Sequence, residues 1–501
     1  MEFLLIILSS LLFTLPHYFP ALFFLSYFAF VPLIYLIKDY DYSHSFIIAL
    51  LVGFLNSVFS LYWLHQPLSS ALKMPFSFNI FILFLYFLIS ALILAVWAIL
   101  NKFLQPKYSY SPFIAALSWT VLEYLRFEFF NFNPFNYFAY TQSSFSLLSW
   151  YADYGGIFLV SFIAVLIASY PVKVYLESSW KKAVPLLLIL IILITIPLFN
   201  QSTAEEEIEY KKVDLAVVET GEKSSMFKKI EGEIEALSNL VKNTESKYIF
   251  TPIETLSFDL IRNNYYRNQL NSQLEQSLQS SYLQLGSRAA ESDSYDAEIF
   301  NSLFLLTEDL ELENRSNKKR NTLSGLNLPY LKEISSYISG YLNFDQELIS
   351  SSELNETIKI EDLNYLNLFS DEIFLPLVSR DSNYPDELNL IVNSAAEEKI
   401  DSKVYSNLAL AAAVYRAAET NTPVIRAVSG GYSAYINADG KILMKKRLDN
   451  NKKTINLALQ KNESYYRRHP NRIINIIITV FLSITLIKII ILVKNKWSSR
   501  N

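Results

Sequence analysis

Eight apolar runs constrain this chain more than any other feature of its sequence. They lie near 2–16, 18–37, 45–64, 77–100, 112–127, 148–170, 184–200 and 472–493, and they are nearly free of charge. A helix crossing a hydrocarbon core needs about 20 mainly apolar residues, fewer where flanking side chains reach the interface. Each run therefore reads as a membrane span. The first is short and bounded by Pro16, but no basic N-terminal region or small-residue cleavage site marks it as a removable leader. Between 201 and 470 the character changes to dense Asp, Glu, Lys and Asn. The expected division is a membrane domain of about seven helices over 1–200, a soluble domain over 201–470, and a final span with a short cytoplasmic tail over 471–501.

Lysine placement orients these spans, because loops facing the cytoplasm carry an excess of Lys and Arg. With the N-terminus inside, the inner loops hold Lys38, Lys102, Lys107, Lys173, Lys181, Lys182, Lys494, Lys496 and Arg500. The outer loops hold only Lys73, with Arg126 at a helix end. Residues 201–470 are therefore expected on the outer face, tethered at both ends. A net charge of −5 without a basic patch argues against nucleic acid. The absence of cysteine excludes disulfides, thiolate metal sites and a thiol nucleophile. The four histidines, His17, His44, His65 and His469, show no metal-ligand spacing and read as interfacial or solvated. Neither a metal nor a cofactor is expected.

In the soluble part, Val213–Val218, Tyr248–Thr251, Ile299–Leu306, Leu363–Phe369, Leu388–Asn393 and Pro423–Ala427 read as buried strands. Met226–Val241, Leu328–Leu342 and Lys403–Thr420 show helical spacing. Tyr432–Asn437 and Ile455–Leu459 are read as a hairpin about the turn Asn437-Ala438-Asp439-Gly440. The polar stretch 262–297 is read as a helix or exposed loop. Alternation of this kind gives a layered α/β domain. In the membrane part, Glu123 and Arg126 fit either a functional pair or a helix-spaced salt bridge. Asp153 is read as a helix cap, and Tyr62, Trp63, Trp97 and Trp150 as an interfacial aromatic belt.

Several stretches occur in an order that resembles apolipoprotein N-acyltransferase, a membrane-embedded branch of the nitrilase superfamily. They are Leu61-Tyr62-Trp63-Leu64, Glu123-Tyr124-Leu125-Arg126, Asn133-Pro134-Phe135-Asn136 with Tyr140-Thr141-Gln142, and Tyr154-Gly155-Gly156. Asn301-Ser302, Thr422-Pro423-Val424-Ile425-Arg426-Ala427, Gly430 to Ala434 with Asp439-Gly440, and Tyr465-Tyr466-Arg467-Arg468 continue the series. The resemblance implies a multi-pass α-helical membrane protein bearing a nitrilase-like α-β-β-α sandwich. It also implies acyl transfer from a phospholipid donor to the N-terminal amine of a diacylated lipoprotein acceptor, carried out by a monomer in the cell inner membrane with the sandwich on the periplasmic face. Residues near Phe132–Tyr140 are expected, by the same resemblance, to line an acyl-chain entry.

The family's site residues map one by one. Its glutamate base falls on Glu254 in Thr251-Pro252-Ile253-Glu254-Thr255, where Ile253 separates the proline from the glutamate. By residue type alone, a Glu after a strand is more often a solvated loop carboxylate. Its lysine falls on Lys318, with Lys319 an adjacent rival, in a Lys-Lys-Arg run that also fits a solvated charge cluster. The nucleophile position falls on Ser370 within Phe369-Ser370-Asp371-Glu372, where the family reads Cys, Tyr, Glu; Glu372 keeps the acidic residue. Leu326 replaces a family glutamate, and Asn393-Ser394-Ala395-Ala396-Glu397 stands where the family has Trp-Phe-Gly.

A serine hydroxyl needs full general-base help, where a thiol near pKa about 8.5 is readily ionised. Three readings follow: an acyltransferase using Ser370, an inactive relative that binds lipid or lipoprotein, and a nitrilase-type amide hydrolase. Retention of Glu254, Lys318 and Glu372 favours the first. The missing cysteine and the altered segments favour the second.

Overall fold

The computed structural model describes residues 1–72, 76–107, 109–130, 134–201, 209–218, 225–242, 244–275, 277–278, 281–292, 294, 297–318, 357–376, 388–398, 400–459 and 464–498. All eight apolar runs are helical. The helices are α1 (Glu2–Tyr18), α2 (Phe30–Ile37, preceded by the 3-10 segment Pro20–Phe28), α3 (Tyr42–Leu61), α4 (His65–Leu72), α5 (Phe76–Leu104), α6 (Pro112–Phe130), α7 (Ser146–Ser149), α8 (Ala152–Leu176) and α9 (Val184–Gln201). Among the described residues, five stretches are long and apolar enough to cross a membrane: Pro20–Ile37, Tyr42–Pro67, Asn79–Leu104, Ala152–Leu176 and Arg472–Ser498. α1 and α9 are shorter apolar helices, and α6 carries Glu123, Arg126 and Glu128. The chain is a multi-pass membrane protein.

Lysines gather at one end of the bundle. Lys102 donates to the Ile37 carbonyl at 2.9 Å, Lys38 to the Tyr175 hydroxyl at 3.3 Å, and Lys173 to the Tyr110 carbonyl at 2.7 Å. α1 starts at this end, where Tyr40 donates to Glu2 at 2.6 Å. It finishes under the soluble domain, where Asn407 donates to the carbonyls of His17 and Tyr18 at 3.3 and 3.1 Å.

The soluble domain comprises β1 (Glu209–Val217), α10 (Met226–Val241), β2 (Tyr248–Phe250), α11 (Asn264–Leu274), β3 (Tyr282–Ala290), β4 (Ile299–Leu306), β5 (Leu312–Asn317), β6 (Thr357–Ile360), β7 (Leu363–Phe369), β8 (Leu390–Ala396), α12 (Lys403–Thr420), β9 (Val424–Ser429), β10 (Ser433–Ile436), β11 (Ile442–Lys446) and β12 (Asn451–Leu459). α13 (Tyr465–Arg468) and α14 (Arg472–Ser498) return the chain to the membrane. The strands form two six-stranded sheets, ordered β12-β1-β2-β3-β4-β5 and β11-β10-β9-β8-β7-β6. Read from β5 and from β11, both run antiparallel, antiparallel, parallel, parallel, antiparallel. The parallel strands β7 and β8 are buried almost throughout and mainly apolar, because both faces are covered.

Val213, Leu215, Phe250, Tyr365, Val392 and Ile425 belong to one core between the two sheets. On the outer face of the first sheet, α10 lays down Ile230, Ile234, Leu237 and Val241 at helical spacing. On the outer face of the second lies α12, whose residues 404–420 are all buried. A helix buried all round has neighbours on every side: here the sheet lies on one flank and the membrane helices on the other, in one continuous core. This is the α-β-β-α layering expected from the sequence.

The structure corrects several expectations. The polar stretch 262–297 contains β3, a nearly buried strand between β2 and β4; its Ser, Gln and Gly residues hide the strand because the polar groups are hydrogen-bonded inside. Ile455–Leu459 is a strand, but it pairs with β1 in the other sheet, and the Asn437–Gly440 turn joins β10 to the half-exposed, Lys-bearing β11. Asp153 does not cap α8, the span it begins; its carboxylate instead accepts the amide of Tyr465, the first residue of α13, at 3.2 Å. Trp63 and Trp97 are buried in the bundle, not spread along an interfacial belt, and His17 is buried at the end of α1. Leu328–Leu342 lies outside the described residues.

Candidate active site

Glu254 is held in a loop continuing from β2. The Thr251 amide donates to the Gln284 carbonyl at 3.1 Å, and the Leu256 amide to the Gly286 carbonyl at 3.0 Å. The loop thus keeps running alongside β3 after β2 has ended. It lies so close that a Cβ on Gly286 would meet the Pro252 carbonyl oxygen at 2.1 Å. Glu254 itself adopts φ of 55°, a left-handed conformation that non-glycine residues rarely take and that recurs at functional loops. Its carboxylate accepts from Arg288 of β3 at 3.0 Å.

Lys318 follows β5 directly, and its amide donates to the Asn301 carbonyl at 2.8 Å. The side chain is buried, with Nζ 3.1 Å from the Asp371 carboxylate, which is wholly buried. Burial pulls the ammonium pKa down, but the charges of Asp371 and Glu372, with a smaller contribution from Glu254, outweigh it and the net direction is upward. Lys318 is accordingly an ammonium at neutral pH.

Ser370 directly follows β7 with φ of 46° and opens the 3-10 turn Ser370–Phe374. The Glu372 carboxylate accepts the Phe369 amide at 2.9 Å and so closes that turn. Asn393 clamps the Ser370 carbonyl from β8 at 3.1 Å. Arg426 donates to Asn393 at 2.9 Å and to Glu397 at 2.7 Å. The segment that departs most from the family pattern is thus built into the support of the Ser370 turn.

The first sheet brings Glu254 and Lys318, and the second brings Ser370, Asp371 and Glu372. All lie just past the C-terminal ends of β2, β5 and β7, where α/β sheets commonly place their ligands. Sequence reading named four of these and missed Asp371 and Arg288. Asp371 sits between two named residues, and its acidity in a buried turn was the available signal; nothing local marks Arg288. Lys319 and Leu326 lie outside the described residues.

The membrane domain floors the site. The Phe374 ring lies 4.8 Å from Phe135 and 5.7 Å from Tyr405, and Trp63 stacks edge-on with both partners at 5.1 and 4.7 Å. Tyr415 donates to the Ala139 carbonyl at 2.6 Å. Phe135, Tyr137, Phe138 and Tyr140 are all buried in this packing.

Residues 9–170 match the family described as the apolipoprotein N-acyltransferase N-terminal domain. Over that segment, about a third of its length, the chain is similar to the apolipoprotein N-acyltransferases. The chain has no cysteine. No curated protein matches the sequence. Among solved structures, a CN-hydrolase superfamily protein from Xanthomonas campestris is 13% identical with a TM-score of 0.37, covering 52% of this chain and 96% of its own. A nitrilase-superfamily member from Saccharomyces cerevisiae is 15% identical with a TM-score of 0.37, covering 54% of this chain and 98% of its own. The N-acyltransferase N-terminal domain match covers part of α1, all of α2 to α7 and most of α8, and includes Trp63, Phe135 and Tyr140 of the floor.

Proposed function

We propose that this protein is a membrane acyltransferase of the apolipoprotein N-acyltransferase kind, with Ser370 in place of the thiol. The observation that carries the reading is that Lys318 of the first sheet pairs at 3.1 Å with Asp371, the neighbour of Ser370 on the second sheet, and feels the charges of Glu372 and Glu254. Glu254 takes the Ser370 hydroxyl proton as Oγ attacks the acyl ester carbonyl of a phospholipid. Lys318 stabilises the developing oxyanion. The ester bond to glycerol breaks, its oxygen takes the proton from Glu254, and a Ser370 oxyester remains. The N-terminal amine of a diacylated lipoprotein then attacks that ester, and the proton it loses returns to Ser370 Oγ by way of Glu254. Glu372 holds the turn on which Ser370 sits.

The lysine-rich end of the bundle faces the cytoplasm and the sandwich faces the periplasm of an inner membrane, a reading supported by the clustering of Lys38, Lys102 and Lys173 opposite the sandwich. The protein acts as a monomer.

A second reading, a catalytically silent relative that binds lipid or lipoprotein, is favoured by two contacts. Asp371 neutralises Lys318, and Arg288 engages Glu254. The deciding experiment is intact-mass analysis after incubation with phospholipid, using the native chain, Ser370→Ala, Ser370→Cys and Glu254→Ala. An acyl-sized increment on the native chain, absent from both Ala variants, establishes the transferase. An increment on Ser370→Cys alone means the pocket works and only the nucleophile was given up. No increment on any of the four supports the silent relative.

A further inference from the structure

Beneath the floor of the candidate site lies a cavity of about 50 Å³ inside the membrane domain. α1, α3, α5 and α6 wall it, and the segment 136–141 covers it. Its lining includes Arg126, Asn136, Asn56 and His17 among apolar groups such as Phe13 and Leu94. Arg126 is 7% exposed, and its Nε and Nη2 have no hydrogen-bond partner among the described residues. Its guanidinium lies over the Tyr137 ring at 4.6 Å and also interacts with the Tyr137 hydroxyl, which leaves Nε and Nη2 without a partner among the described residues. Glu123, one turn earlier on α6, does not meet it in a hydrogen bond: one of its oxygens accepts the Phe138 amide at 2.7 Å.

Asn136 adds the opposite polarity. The Ser60 hydroxyl donates to the Asn56 carbonyl at 2.7 Å, so towards Asn136 it can only accept, and it takes Asn136 Nδ2 at 3.0 Å. That contact fixes the amide orientation and leaves Asn136 Oδ1 as a buried acceptor without a partner among the described residues. Buried polar groups are almost always hydrogen-bonded, and an ionisable side chain within a membrane domain marks function by default.

We infer that this cavity binds a phosphate-bearing group, its oxyanion held by the two unpaired N–H donors of Arg126 and a neighbouring hydroxyl or ammonium received by Asn136 Oδ1. Guanidinium forks match phosphate geometry, and charge-assisted hydrogen bonds of this type are strong. The pairing of an oxyanion with a hydrogen-bond donor is the chemistry of a glycerol- or ethanolamine-phosphate headgroup; free phosphate shares the first half of it. The cavity lies at the sandwich end of the bundle: Asn407 holds the backbone of lining residue His17, and Phe135, next to Asn136, packs on Phe374. The site is distinct from Ser370 and needs no acyl transfer to exist. If the proposed function holds, a phosphate anchored here belongs to a lipid at the floor of that site.

Native mass spectrometry of the full chain in detergent, titrated with dioleoyl phosphatidylglycerol, phosphatidylethanolamine, diacylglycerol or inorganic phosphate, tests this. The native chain is expected to retain both phospholipids, and Arg126→Gln to raise their half-saturation at least tenfold. Asn136→Leu, which keeps the charge, is expected to raise it several-fold, and thermal unfolding of each variant separates binding loss from misfolding. Competition by inorganic phosphate at millimolar concentration identifies a free oxyanion as ligand; its failure alongside retained phospholipid identifies the lipid headgroup. Equal retention by native and Arg126→Gln, equal retention of diacylglycerol, or no phosphate-dependent binding at all would overturn the inference and leave a water-filled cavity. Binding with no acylation of Ser370 would sink the acyltransferase reading while this one stands.

Discussion

Replacing Asp371 by Asn tests the buried ion pair at the centre of the candidate site. The substitution keeps shape and removes one charge. It leaves the Lys318 ammonium, 8% exposed, facing an amide 3.1 Å away where a carboxylate had been. Breaking a buried pair from one side costs about 3–5 kcal/mol, because the remaining charge stays desolvated. Glu372 and Glu254 still face Lys318, so the low end, about 3 kcal/mol, is expected. For a domain of this size that corresponds to roughly 6–12 °C in Tm. The double variant Lys318→Met/Asp371→Leu removes both charges and is expected within about 1 kcal/mol of the native chain, since apolar isosteres commonly match buried pairs. Thermal unfolding of the detergent-purified proteins, arranged as a double-mutant cycle, reads both numbers. The pH dependence has a definite sign. Lys318 has a raised pKa in the fold, so its contribution is complete below the ordinary lysine value of about 10.4 and is lost as pH climbs through the folded value. The native chain should therefore lose stability above that pH by an amount Lys318→Met does not. Additive single-variant effects, or an Asp371→Asn protein as stable as the native one, would refute the claim that this pair is closed and desolvated.

Other substitutions follow from the same geometry. Gly286→Ala drives a methyl group into the Pro252 carbonyl; it should displace Glu254, cost about 1–3 kcal/mol, and reduce any Ser370 acylation seen by intact mass. Gly156 has φ of +63° and packs on the Tyr466 ring, so Gly156→Ala should lower Tm through both backbone strain and overpacking, read by differential scanning fluorimetry. Tyr415→Phe removes the 2.6 Å hydrogen bond that joins α12 to the membrane domain and should cost about 0.5–1.5 kcal/mol; an unchanged Tm would mean the contact contributes nothing.

Much of the architecture is legible in the sequence. Apolar runs of near-membrane length, and the switch to mixed polarity after residue 201, divide the chain because a bilayer imposes a length and a polarity that few other environments require. Central parallel strands such as Leu363–Phe369, apolar but for Asn364 and Asn367, announce themselves as mainly apolar runs because both faces are covered. Long-range pairing is not legible in this way. β3 looks polar because its Gln284 and Ser287 form hydrogen bonds inside the fold. β12 crosses to the other sheet because the hydrogen-bonding edge of β1 is open to it, a fact that no local pattern contains.

For the candidate site, the sequence by itself determined which residue types stand at Glu254, Lys318, Ser370 and Glu372, and that no thiol is available. Only the tertiary structure decided what these groups face. A carboxylate and an ammonium 53 residues apart in the chain become a buried pair when two sheets close over one core. Arg288 reaches Glu254 because β3 runs alongside the loop after β2. Electrostatic partnership depends on separation and desolvation, and both are set by packing.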